Sequence, residues 1–249
     1  MSNKQLWLQC RPAAEPPMMR LFCLPHAGGG ATAFRLWHAA LPASIQVCPI
    51  LLPGREMRRS DPAYTDFSAL VDAIARELQP WLDIPYAVFG HSMGSLLAFE
   101  WVRRLQREGH PMPAWLFLSG RRAPDTPHDG KPPLHPLPDP EFLEQLVDIY
   151  QGIPQEILRE PDLMEIFLPI LRADIAVVES YRFQEDEPLD CPMTVFAGSK
   201  DSSVNWDQLL AWKRQTRSRF SVQLLPGGHF YPHEPLLQTI STTLAGWGG

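Results

Sequence analysis

Positive charge is in short supply. With 22 Lys and Arg against 28 Asp and Glu in 249 residues, the chain carries a net charge of -6, and these totals force no face-wide cationic surface of the kind a nucleic-acid protein needs. Cysteine is scarce too. Cys10, Cys23, Cys48 and Cys191 stand apart with no C-x-x-C pair, so the common zinc and dithiol spacings are absent and buried free thiols in a reducing compartment are the expectation. No segment reaches the roughly 18 uninterrupted apolar residues of a membrane span, and residues 1–19 lack the sustained apolar stretch of a secretion signal. A soluble, cytoplasmic protein is expected. No H-E-x-x-H arrangement and no internal repeat occur.

What the chain does have is apolar residues in a particular rhythm. At 45% hydrophobic content it can bury one sizeable core, and a single domain over residues 1–249 is expected. Short, nearly continuous apolar runs recur at 20–25, 45–52, 86–89, 114–119, 192–197 and 221–225, as strands covered on both faces should read. Between two of them, Phe67, Leu70, Val71, Ile74, Leu78 and Trp81 mark one helix face, with Asp66 placed to cap it. Such alternation predicts an α/β fold with a mostly parallel sheet flanked by helices.

The rhythm breaks between Arg121 and about Phe183. An insertion over about 121–188 is the simplest account. Its first 20 residues, 121–140, hold seven prolines and predict an irregular connector. Beyond it, Phe142, Leu143, Leu146 and Ile149 form one helical stripe and Leu163, Ile166, Phe167, Ile170, Leu171 and Val178 a second, which Pro169 should bend or break.

Gly90-His91-Ser92-Met93-Gly94 is a G-x-S-x-G sequence where a strand gives way to a helix. There a serine sits at the tip of a strained turn, and the glycines two positions before and after let strand and helix approach. The helix beginning at Met93 aims its N–H groups and dipole at the same point, which favours an oxyanion. A hydroxyl needs a base and an orienting acid to become a nucleophile, in the order Ser, Asp or Glu, His. Asp201 follows the run at 192–197, and His229 follows that at 221–225. His229 is therefore assigned as base and Asp201 as its orienting acid. Asp186 and Asp190 precede the strand, and Asp174 and Glu179 lie in the insertion.

Two competing readings are set aside. His229 and His233 are spaced i, i+4, but Pro232 interrupts them, so no metal is expected. His38, His110, His128 and His135 read as solvated residues. Gly28, Gly30 and Ala33 match G-x-G-x-x-A, yet Leu52 and Pro53 stand where a dinucleotide site needs an acid. No cofactor is expected. The glycine loop serves better as the second oxyanion donor, so the backbone N–H groups of Ala27 and Met93 are assigned that role.

Taken together, "LPHAGGGA", "LPGRE", "FGHSMG", "LRADIAVVESY", "FAGSKD" and "GGHFY", spread in order from residue 24 to residue 231, resemble the type II thioesterases of nonribosomal peptide and polyketide synthesis. The resemblance implies a free-standing α/β-hydrolase that removes acyl thioesters from the phosphopantetheine arm of acyl- or peptidyl-carrier proteins. It places the triad on Ser92, Asp201 and His229, and makes the insertion a lid. Because such carriers are usually acidic, Arg55, Arg58 and Arg59, or Arg121 and Arg122, are candidates to guide docking, although any single one is more simply a solvated charge. A monomer is expected. The alternatives are a carboxylesterase or lipase acting on oxygen esters, and a non-catalytic binding module on the same scaffold.

Overall fold

The computed structural model describes residues 7–11, 15–126, 130, 132–150 and 160–246. Six strands form one parallel sheet, β1 (Met19–Leu24), β2 (Ile45–Pro49), β3 (Tyr86–His91), β4 (Trp115–Ser119), β5 (Met193–Gly198) and β6 (Phe220–Leu225), in the order β2-β1-β3-β4-β5-β6. Each coincides to within a few residues with an apolar run of the sequence. Burial on both faces explains why the runs of β1, β3, β4 and β5 do not alternate, whereas the edge strand β6 is largely open, with Leu224 51% exposed. Phe22, Val88, Leu118 and Val195 face one core, while Leu21, Phe89, Phe117 and Phe196 face the other.

Helices α2 (Phe67–Leu78) and α3 (Met93–Arg107) cover the first face, and α1 (Trp37–Ala40) with the C-terminal helix His233–Ala245 covers the second. The Asp66 carboxylate accepts from the Ala69 N–H at 2.8 Å, a cap worth about 1 kcal/mol. Trp81 leaves that helix for a 3-10 turn, Gln79–Trp81. Strand order reverses between β1 and β3, which opens a crevice beyond the carboxyl ends of these strands, where ligands of such sheets bind.

Among the described residues between β4 and β5 are two helices, α4 (Asp139–Tyr150) and α5 (Pro161–Ser180). They share a small core of Leu134, Phe142, Leu146, Leu171 and Ile175, against which Ala27 of the glycine loop also packs. The expected helical stripe falls within α5, although its first members are open, Leu163 being 47% and Ile166 46% exposed. Phe167 and Leu168 pack against that small core, and further along Leu171, Asp174, Ile175 and Val177 are buried. Pro169 does not break α5, which runs unbroken through it; the apolar contacts of Leu171 and Ile175 just beyond it offset the lost hydrogen bond. The side chain of Ile149 and all of His128 lie outside the described residues. Among the described residues the remaining α-helices are α6 (Trp206–Leu210) and α7 (His233–Ala245). Among the described residues no helix is long and apolar enough to cross a membrane.

Candidate active site

Ser92 stands between β3 and α3 with φ 54° and ψ -112°, a left-handed conformation that a non-glycine residue adopts only under constraint. The constraint is visible on both sides. A Cβ on Gly90 would run into the Gly94 carbonyl, and one on Gly94 into the Leu24 carbonyl. Ser95 completes the turn: its hydroxyl contacts the carbonyls of Gly90 and Ser119, each at 2.8 Å, and it receives the Ser119 N–H at 2.9 Å. Gly94→Ala is therefore expected to abolish activity and to cost several kcal/mol, because the methyl meets backbone that cannot move away. Urea unfolding of the variant checks this.

The other two residues arrive on loops that brace each other. A Cβ on Gly198 would strike the Gly228 carbonyl, and the Ser199 and Lys200 N–H groups donate to the carbonyls of Leu225 and Gly227, each at 2.8 Å. So the ends of β5 and β6 are held in backbone contact. Asp201 and His229 follow from them, both buried, with His229 Nδ1 2.9 Å from Asp201 Oδ2. The second carboxylate oxygen accepts from the Ser203 N–H at 2.9 Å and the Ser203 hydroxyl at 2.6 Å. Burial alone pushes the Asp201 carboxyl up, but the His229 and Ser203 hydrogen bonds outweigh it and hold it below its usual range. An ionised Asp201 fixes the proton on Nδ1 and leaves the lone pair on Nε2.

Ser92 and His229 converge on the end of β4. The Ser92 N–H donates to the Ser119 carbonyl at 2.7 Å. At the next residue, Gly120, a Cβ would lie 2.9 Å from the His91 ring and 3.2 Å from the His229 ring. The rings of His91 and His229 are 5.0 Å apart between centroids.

Ala27 and Met93 lie at the same corner. As the first residue of α3, Met93 has an N–H with no partner inside its helix. The start of that helix abuts the Leu24 and Pro25 carbonyls, two residues before Ala27. Gly28 and Gly29 direct their own N–H groups elsewhere, to Asp174 Oδ2 at 2.7 Å and the His26 carbonyl at 2.9 Å.

Several neighbours escaped the sequence reading. His91 Nδ1 lies 2.6 Å from the Ser119 hydroxyl, which also contacts the Tyr231 hydroxyl. His233 Nδ1 accepts from the Trp37 indole N–H at 3.1 Å. Together with His26 these rings line a cavity of about 220 Å³ walled by Phe34, Phe89 and Phe230. Burial, and then the neighbouring imidazoles, push His91 well below the ordinary histidine value. Burial first, then His229, Arg55 and His233, lower His26 to about 4, and burial lowers His233. The four acids set aside earlier are all engaged: Asp174 with Arg55, Glu179 with His135, Asp186 with Arg107, and Asp190 with Arg217.

These histidines set the acid limit. Unfolded imidazoles titrate near about 6.5, whereas His26, His91 and His233 titrate lower when folded. Below that pH the unfolded chain binds protons that the native state refuses, so stability falls as pH drops toward 4, by about 1.4 kcal/mol per pH unit for each such proton. Asp201, whose folded value is depressed, adds a loss in the same direction at still lower pH. A Tm lower by several degrees at pH 5 than at pH 7 is expected, and an unchanged Tm would contradict it.

Arg55 requires a correction. It is not a docking residue, because it is 4% exposed and paired with Asp174. Arg58 is drawn in as well, over the Trp7 ring and onto Asp61, leaving Arg59 as the exposed member of that trio.

Comparison with known proteins bears on the chemistry. Residues 19–244 match the family described as "Thioesterase domain". The chain is 43% identical over 222 residues, covering 89% of it and 86% of the relative, to the gramicidin S biosynthesis protein GrsT of Aneurinibacillus migulanus. Among solved structures it resembles the RedJ thioesterase of the prodiginine pathway of Streptomyces coelicolor, with a TM-score of 0.84 and 37% identity over 94% of this chain and 95% of that one. It likewise resembles the type II thioesterase BorB from the borrelidin biosynthetic cluster, with a TM-score of 0.87 and 32% identity over 96% of this chain and 98% of that one. On this sheet, this match and these identities, the chain belongs to the thioesterase family, among the type II thioesterases of nonribosomal peptide and polyketide pathways.

Proposed function

We propose that the chain hydrolyses acyl thioesters borne on the phosphopantetheine arm of carrier proteins, by a Ser92-His229-Asp201 triad. The observation that carries this reading is the buried His229–Asp201 hydrogen bond beside the strained Ser92 turn. Ser92 Oγ attacks the thioester carbonyl while His229 Nε2 takes its proton. The oxyanion that forms is held by the N–H groups of Ala27 and Met93. Each such donor is worth roughly 10²- to 10³-fold in rate. Collapse of the tetrahedral intermediate expels the pantetheine thiolate, protonated by the imidazolium, and leaves an acyl-serine. Water, deprotonated by His229, then repeats the sequence and releases a carboxylic acid.

A thioester suits this machinery, because its carbonyl is more electrophilic than an ester's and its thiolate leaves readily. In this reading residues 1–249 act as one cytoplasmic, monomeric domain and α4 and α5 form a lid over the acyl site. The relatives' place in peptide and polyketide pathways supports the carrier substrate. Steady-state assays on acyl-carrier thioesters and p-nitrophenyl esters of equal chain length provide the test. A higher kcat/KM on the carrier thioester is expected, and a strong preference for the oxygen ester would contradict the proposal.

A further inference from the structure

The glycine loop that carries Ala27 is gripped at both ends by two consecutive residues of opposite charge. Glu56 receives the N–H groups of Ala31 and Thr32 at 3.2 and 2.9 Å and the Thr32 hydroxyl at 2.7 Å. It does so from a left-handed backbone, φ 49°, a conformation that costs a non-glycine residue energy and persists where the surroundings impose it. Arg55 donates to the Gly29 carbonyl at 2.8 Å and, through both terminal nitrogens, to Asp174 at 2.7 and 2.6 Å. Asp174 belongs to α5, and its Oδ2 also takes the Gly28 N–H. The side chains of both ion-pair partners are almost wholly buried, at 5% and 2% exposure. The loop is pressed from the same side by Phe167 and Leu171 of α5, which leave no room for a side chain on Gly28.

A buried ion pair is seldom the most stable filling for a core, and apolar residues of similar volume often serve as well. Its worth lies in geometry. A planar fork meeting a carboxylate admits one arrangement, and here that arrangement ties a loop carbonyl, a loop N–H and a helix of the insertion to one point.

We infer that Arg55 and Asp174 are positioning residues, which set the direction of the Ala27 N–H by fixing Gly28 and Gly29 and so make helix α5 part of the oxyanion site. The inference rests on the serine-hydrolase reading above. Ala27 immediately precedes the clamped pair, so any rotation of the Gly28 peptide swings its neighbour. It follows that loop and helix hold or lose the oxyanion geometry together. A substrate that displaces α5 without keeping the Asp174 contact forfeits one oxyanion donor.

The test uses the full chain in two variants, Asp174→Asn and the double replacement Arg55→Met/Asp174→Leu, with Leu105→Ala as a destabilised control remote from the site. All are assayed below their melting temperatures on an acyl-pantetheine thioester. Binding of a trifluoromethyl ketone analogue, whose adduct places an oxyanion in the same hole, is measured in parallel. The double variant keeps the measurement open if Asp174→Asn does not fold, since two apolar residues leave no unpaired buried charge. Expected is a fall in kcat of roughly 10- to 100-fold, a KM within about threefold, and an analogue affinity weakened by the same factor as kcat, with Leu105→Ala unchanged in all three. A folded variant with kcat and analogue affinity both within twofold of wild type would overturn the inference, and so would a loss of kcat with analogue affinity intact. Labelling of the wild-type chain by a fluorophosphonate separates the two levels: an unlabelled Ser92 sinks the serine-hydrolase reading itself, whereas a labelled one leaves any failure with Arg55 and Asp174.

Discussion

Ser92→Ala is expected to lower kcat for acyl-thioester hydrolysis by at least roughly 10³-fold while leaving unfolding by urea nearly unchanged. The size of the loss follows from the covalent mechanism: without Oγ the acyl group has no acceptor, and what remains is attack by water assisted only by the oxyanion donors and by binding. Stability should hold because alanine removes a single oxygen from a residue that keeps the turn by its backbone, through the Ser92 N–H bond to Ser119. The neighbouring Ser95 supplies the side-chain bonds that close the turn. Steady-state kinetics beside an unfolding curve separates the two quantities. A variant with full activity would show that another nucleophile does the work.

Asp201→Asn should likewise cost about 10³- to 10⁴-fold in kcat, without the loss of stability expected of Gly94→Ala. The amide keeps the shape of the carboxylate but brings its own N–H groups to His229 Nδ1, and so favours the tautomer whose proton sits on Nε2, the nitrogen needed as base. Ser203 makes the effect more severe. Its N–H and hydroxyl both point at Oδ1, so the carbonyl oxygen of the amide is drawn to that side and the NH₂ is turned toward His229. Activity of the variant should recover in part as pH rises, because hydroxide then substitutes for the missing general base. A loss below tenfold would mean that His229 needs no orienting acid.

Much of this arrangement is legible in the sequence because it lies at strand ends. A strand buried on both faces announces itself as a continuous apolar run, and the residues just beyond the runs at 86–89, 192–197 and 221–225 are those the sheet must deliver to one edge. Gly90 and Gly94 are readable for a similar reason, since only a residue without Cβ fits where two backbones touch. What stays hidden is contact between ordinary residues far apart in the chain. Arg55 and Asp174 are separated by 119 positions. Each by itself reads as surface charge, although both occur in segments that mark the family resemblance. Ser203, Ser119 and Tyr231 belong to residue types that occur throughout the chain, and their importance comes only from the folded neighbours they meet. The stripe on α5 is legible as a helix face, but how much of it is buried is not. Periodicity shows which face is apolar, whereas burial depends on how far the body of the protein extends beneath it, and Leu163 and Ile166 lie past that edge.

The proposed chemistry requires a covalent acyl-serine. Mixing the enzyme with an excess of acyl-pantetheine thioester, quenching in acid within milliseconds and mapping the digest by mass spectrometry tests for it. The peptide containing Ser92 should gain the mass of the acyl group and lose it on the timescale of turnover. Hydrolysis at full rate with no acyl mass on Ser92, or with that mass on another residue, would contradict that chemistry.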